Sequence, residues 1–272
     1  TITSSSTTNA QSLIALNGST TSRSINNSGM IISSSQDATV IDASGTANNT
    51  VTNTGSLRAA SDTAQVVLTG SGNDVMQISA GTTQGEITLG GGNDRFGFTA
   101  GDFAGGVTFT GVDGNDTATF GDVNLSAVGH VLSEGGTNST LTFNGTHSSS
   151  GSATIGSLAT DDLLTATNIG TGWSTLTLDG DPTDIRIMQD LALSGAADIN
   201  VNNGATLRTG DNGVTSGMAS ISQYDIATVG ATSLVSFDGA GIQTYGGIIS
   251  GTGSIERTGG GSTILLGENT FT

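Results

Sequence analysis

Three short segments carry the residue types that hold a hard cation. Gly72-Asn73-Asp74 returns as Gly92-Asn93-Asp94 after 20 residues and as Gly114-Asn115-Asp116 after 22 more, with Asp113 adding a carboxylate to the third copy. If these copies stack at strand spacing, Asp74, Asp94 and Asp116 fall in one column about 5 Å apart, where their charges repel. A calcium ion held by the carboxylates and by turn carbonyls would relieve that repulsion, and Asp74, Asp94, Asp113 and Asp116 are its candidate ligands. The same spacing also fits a plainer arrangement: Asn73, Asn93 and Asn115 bond to each other or to the backbone while the carboxylates face solvent.

Other groupings are weaker. Asp161-Asp162, and Asp179, Asp181 and Asp184 around the single Pro182, are carboxylate sets of the kind a polysaccharide hydrolase or lyase uses. Such an enzyme needs carboxylates from several neighbouring strands to converge, with basic residues holding an acidic sugar; turn-forming Asp is the simpler reading. The two histidines, His130 and His147, have no Gly-Asp-Ser-Gly segment to serve, and there is no Cys. Nucleophile-base pairs, phosphate loops and His-rich metal sites are all missing from the sequence. Trp173, Tyr224 and Tyr245 are the only Trp and Tyr, too few for a long sugar-stacking platform.

Composition narrows the elements that must position these residues. Of 272 residues 43 are Gly and 34% are apolar, which argues for a thin core repeated many times rather than one large one. All six basic residues are Arg, against 23 acidic ones, and the net charge of −17 makes nucleic acid and anionic membrane poor partners. No apolar run approaches a membrane span, and the opening TITSSSTTNAQS lacks a basic leader region. Neither end reads as a natural terminus, so the chain is expected to be an excised piece. A chain without Cys suits the cytosol, and equally a protein threaded unfolded across a membrane.

Helical periodicity fails along the chain, and short strands with apolar residues at i and i+2 recur. The expected inward positions include Val66, Leu68, Ile87, Leu89, Val107, Phe109, Leu176 and Leu178. Phe143-Asn-Gly145, Leu178-Asp-Gly180 and Phe237-Asp-Gly239 end strands in the same way. Ile25-Asn-Asn27-Ser-Gly29-Met-Ile31 realigns with Val51-Thr-Asn53-Thr-Gly55-Ser-Leu57 at an offset of 26. Offsets of 20 to 26 predict an all-β chain, a right-handed parallel β-helix of about twelve coils forming one domain over 1–272. An antiparallel sandwich is the alternative, since Asn-Gly and Asp-Gly also mark hairpins, but its turns should return every 8 to 12 residues.

The C-terminal stretch 246–272 contains Gly251-Thr-Gly-Ser-Ile255-Glu-Arg257, then Ser262-Thr-Ile264-Leu-Leu266-Gly-Glu268-Asn269-Thr-Phe271. It resembles the start of the passenger-associated repeat of bacterial autotransporters, with Arg257 at the family's usual Lys and Glu268-Asn269-Thr-Phe271 at its Ala-Asn-Thr-Tyr. The segments around Asn27 and Asn53 resemble the same passengers. The resemblance implies a secreted passenger exported through the outer membrane of a Gram-negative cell, with a C-terminal translocator barrel elsewhere in the full-length protein. It also implies an adhesin that binds a host-surface or extracellular-matrix molecule, or its own copies, without catalysis and without inserting in the membrane. A β-helical polysaccharide-degrading enzyme and a passive stalk are the alternatives. The three Gly-Asn-Asp turns are also similar to the calcium-binding GGxGxDxU repeat of secreted β-rolls. Thr69, Leu89 and Val112 break that pattern, and each coil holds one copy where the roll has two.

Overall fold

The computed structural model describes residues 2–4, 11–18, 20–103, 108–111, 113–124, 130–133, 138–145, 153–155, 167–169, 171–187, 191, 193–194, 198–210, 221 and 223–272. Among them there is no helix, and every registered strand pair is parallel, which removes the antiparallel sandwich. The chain is a β-solenoid: successive coils stack their strands in parallel, one level on the next.

The largest sheet fixes the repeat. Its inward column runs Ile25, Val51, Met76, Phe96, Ala118, Leu141, Leu176, Ile199, Ile226 and Ile249, each paired in register with the next. These ten levels are fewer than the twelve coils expected. The step from Leu141 to Leu176 takes 35 residues where the others take 20 to 27, and partial levels lie before Ile25 and after Ile249.

Two further sheets lie beside it. Ile14–Ala15, Ile41–Ala43, Gln65–Thr69, Glu86–Thr88, Thr108–Thr110, His130–Ser133 and Thr167–Ile169 form a seven-stranded sheet, and Ala153–Ile155, Asp184–Ile187, Thr206–Thr209, Leu234–Asp238 and Ser254–Thr258 form a five-stranded one. In the early coils a two-residue corner splits the large sheet's strands, as between Thr50–Asn53 and Ser56–Arg58. Farther on the corner straightens, and Arg95–Phe103 and Thr117–Asn124 each run as a single strand.

Alternation explains the burial. In Ser139–Phe143 the side chains of Ser139, Leu141 and Phe143 point in, and those of Thr140 and Thr142 point out. Inside, Phe120 stacks on Phe143 with ring centres 5.7 Å apart and meets Phe96 at 5.5 Å, so the aromatic residues fill successive levels of one core. Trp173, Tyr224 and Tyr245 are buried in the same core.

Of the expected inward residues, Val66, Ile87, Leu89, Leu176 and Leu178 are buried, and Leu68 is only half-buried. The reason is a bulge: Glu86 pairs with Gln65 but Ile87 pairs with Val67, so Val66 and Val67 both turn inward and Leu68 is displaced outward. Val107 and the side chain of Phe109 lie outside the described residues.

Candidate functional site

The Gly-Asn-Asp turns stack as their spacing predicts, and the column of Asp74, Asp94 and Asp116 exists. Its carboxylates do not face solvent: they are 1%, 1% and 0% exposed. Each one reaches back to the backbone of the coil before it. The Asn49 N–H donates to Asp74 Oδ1 at 2.6 Å, the Asp74 N–H to Asp94 Oδ1 at 2.7 Å, and the Asp94 N–H to Asp116 Oδ1 at 2.6 Å. At the next level Ser139 takes over, its hydroxyl accepting from the Asp116 N–H at 2.9 Å.

The adjacent asparagines form a second ladder of opposite sense. The Asn73 N–H donates back to Asn48 Oδ1 at 2.9 Å, the Asn93 N–H to Asn73 Oδ1 at 2.9 Å, and the Asn115 N–H to Asn93 Oδ1 at 3.0 Å. Glycine is required beside these ladders because the turns pack backbone on backbone. Gly92 and Gly114 have φ of +120° and +112°, and a Cβ on Gly114 would lie 1.5 Å from the Gly92 carbonyl oxygen.

Asp113 stands apart from the column. It is exposed, and its Oδ1 accepts from the Gly92 N–H at 3.2 Å. Among the described residues no three His, Cys, Asp or Glu side chains gather into a set able to hold a metal ion. What the aspartates do in this geometry is satisfy buried turn N–H groups. Burial pushes the Asp74 carboxyl above its ordinary value, against the opposing pull of hydrogen bonds from Asn49, Thr69 and Gly70.

The other acidic candidates diverge. Asp184 makes a paired contact with Arg208, Nε to Oδ1 at 2.8 Å and Nη2 to Oδ2 at 2.7 Å. Asp179 Oδ1 accepts from the Asn203 amide at 2.7 Å, and Asp181 is exposed. Asp161, Asp162, His147 and the side chain of His130 lie outside the described residues.

An ion pair that spacing did not suggest lies between two of these coils. Arg186 is buried on the five-stranded sheet, where it donates to Asp238 Oδ2 and, at 2.7 Å, to the Gly210 carbonyl. Ser236 and Thr258 donate to the other oxygen of Asp238. In the 246–272 stretch Arg257 donates to the Phe237 and Gly239 carbonyls at 2.8 and 2.6 Å, and Asn269 Oδ1 accepts from the Ile249 N–H at 2.7 Å. Both residues therefore fasten one coil to its neighbour.

Outward, the large sheet presents a regular polar surface. Thr117, Thr140 and Thr175 pair in one column and Thr119, Thr142 and Thr177 in the next, two grid lines of hydroxyl and methyl groups across three levels. Arg95 and Gly97 stand one level below in the same two columns. Two open concavities of about 430 and 420 Å³ meet at Arg95, Thr117 and Thr119. The sequence already makes the outward faces dense in Ser, Thr, Asn and Asp; which threonines fall into one column depends on the pairing between levels and is not a local pattern. Comparison with protein-family models, with curated proteins and with solved structures finds no match.

Proposed function

We propose that this chain is an adhesive rod, a piece of an exported surface protein of the autotransporter kind its C-terminal residues resemble. It makes contact through the outer face of its largest sheet and carries out no catalysis. The observation that supports this reading is the in-register array of Thr117, Thr119, Thr140, Thr142, Thr175 and Thr177. Threonine side chains are short and stiff, so ordering them at a contact costs little entropy, and each hydroxyl both donates and accepts. A parallel sheet repeats that surface level after level, and weak contacts in register sum to useful avidity between surfaces. The partner is a host-surface or matrix molecule, or a second copy of the chain, met at the bacterial surface beyond the outer membrane.

Self-pairing has a charge signature. Two copies at −17 each repel, so association strengthens as salt screens the acidic surface. Sedimentation of the purified chain across a salt series is expected to show a monomer at low ionic strength and growing lateral association at high ionic strength. A monomer at every salt and high protein concentration would remove self-pairing. Failure to bind matrix- or cell-coated surfaces as well would leave the passive stalk.

A further inference from the structure

We infer that Arg95 and the concavity beside it form a binding subsite for a sparsely acidic oligosaccharide, one carrying an isolated carboxylate among neutral sugars. The inference rests on the adhesive reading only in placing the contact on the same face of the large sheet.

Four of the six arginines are committed within the chain. Arg186, Arg208 and Arg257 tie coils together, and Arg58 donates twice to Gln84 Oε1. The Arg95 guanidinium, by contrast, has no hydrogen-bond or ion-pair partner among the described residues, and it is exposed at the middle of the sheet. A guanidinium so placed presents its planar donor fork to solvent, the shape that pairs with a carboxylate.

In one outward column Gln77, Gly97 and Thr119 are neighbours, and the Gln77 amide lies over Gly97, its Oε1 2.2 Å from where a Cβ would stand. Beside Arg95 the same residues line a concavity of about 430 Å³. Its polar lining is Gln77, Arg95, Thr99, Thr117 and Thr119. Hydroxyls and an amide that donate and accept complement sugar hydroxyls. The aromatic ring of the lining, Phe96, points into the core, so a peptide partner finds no apolar pocket to anchor a side chain. The second concavity extends the surface to the next level, and each coil advances about 4.8 Å, close to the advance of one sugar along an extended chain. A densely charged polyanion is disfavoured by the net charge of −17, whereas a single carboxylate meets Arg95.

Ligand-observed NMR titration of the whole chain with 3′-sialyllactose tests this, against lactose as the neutral sugar and acetate as the bare carboxylate. The sialylated trisaccharide is expected to bind at roughly millimolar Kd, about tenfold or more tighter than lactose and acetate, and to weaken with salt. Arg95→Gln is expected to lose about tenfold in affinity, with Arg95→Lys intermediate because it keeps the charge and loses the fork. Gly97→Thr continues the threonine column and pushes the Gln77 amide, the only group a Cβ there meets, out over the concavity. That variant is expected to melt no lower than the wild type while losing binding, which separates a blocked site from a damaged fold. The inference is overturned if 3′-sialyllactose does not bind, if lactose or acetate binds as well as it does, or if all three variants bind as the wild type does. Sedimentation of Arg95→Gln distinguishes the two readings: salt-dependent association without glycan binding sinks this subsite and leaves the adhesive rod standing.

Discussion

Asp74 shows how a residue type chosen by metals is also suited to a dry turn. Its carboxylate accepts from the backbone of the preceding coil in the core's margin, and burial raises its pKa above the ordinary 3.8. The sign of the pH effect follows from that shift. With the folded value above the unfolded one, the native state takes up the proton first on acidification, so the contribution of Asp74 to stability is complete below 3.8 and is lost as pH rises through the folded value. The melting midpoint of the wild type relative to Asp74→Asn is therefore expected to rise as pH falls from neutral toward 4, and a constant or opposite difference would refute the assignment. Calcium is the second test at this column. Because Oδ1 of Asp74, Asp94 and Asp116 is already engaged by backbone N–H groups, equal midpoints are expected in millimolar calcium and in chelator. A calcium-dependent rise abolished by Asp94→Ala would instead make the column a metal site. The recurrence of Gly-Asn-Asp announced the column and the asparagine ladder. It could not tell which way each side chain turns at a corner, because an outward and an inward Asp have the same spacing.

Strands of the five-stranded sheet are held by more than their ladder. Arg186 sits on Asp184–Ile187 and its partner Asp238 ends Leu234–Asp238, with Thr206–Thr209 between them, so the ion pair reaches across an intervening strand. Removing one member of such a pair leaves a charge buried without its counterion. Asp238→Ala is expected to cost about 3–5 kcal/mol in denaturant unfolding, far more than the same change at exposed Asp181. A loss below about 1 kcal/mol would mean that Arg186 escapes to water. The strands themselves were legible from apolar residues at i and i+2, as at Leu141 and Phe143 or Leu176 and Leu178. Two things were not. The bulge that turns Val66 and Val67 inward together is a property of the pairing with Glu86–Thr88, and the burial of Arg186 depends on a partner 52 residues away. Neither is a local pattern.

The whole molecule was readable as a solenoid because its levels repeat: the offset of 26 between Ile25 and Val51 is the register of their strands. Dividing the chain length by the 20-to-26-residue offsets overstated the number of levels, since the step from Leu141 to Leu176 spends 35 residues and two strands, Ala153–Ile155 and Thr167–Ile169, on one level. Each level's strands pair only with those of its neighbours, and the two corner ladders run in opposite senses. A stack that ended at the Asn73-Asp74 level would therefore display, one residue apart, an unmet acceptor on Asn73 Oδ1 and an unmet donor on the Asp74 N–H. The following coil brings the matching pair, the Asn93 N–H and Asp94 Oδ1. The growing end is thus cohesive in the manner of a half-joint whose two halves must fit at once. An incoming coil shifted by one residue would leave both groups without these partners, the Asp74 N–H in the buried column, so these hydrogen bonds proofread the register of each coil as it is laid on the last.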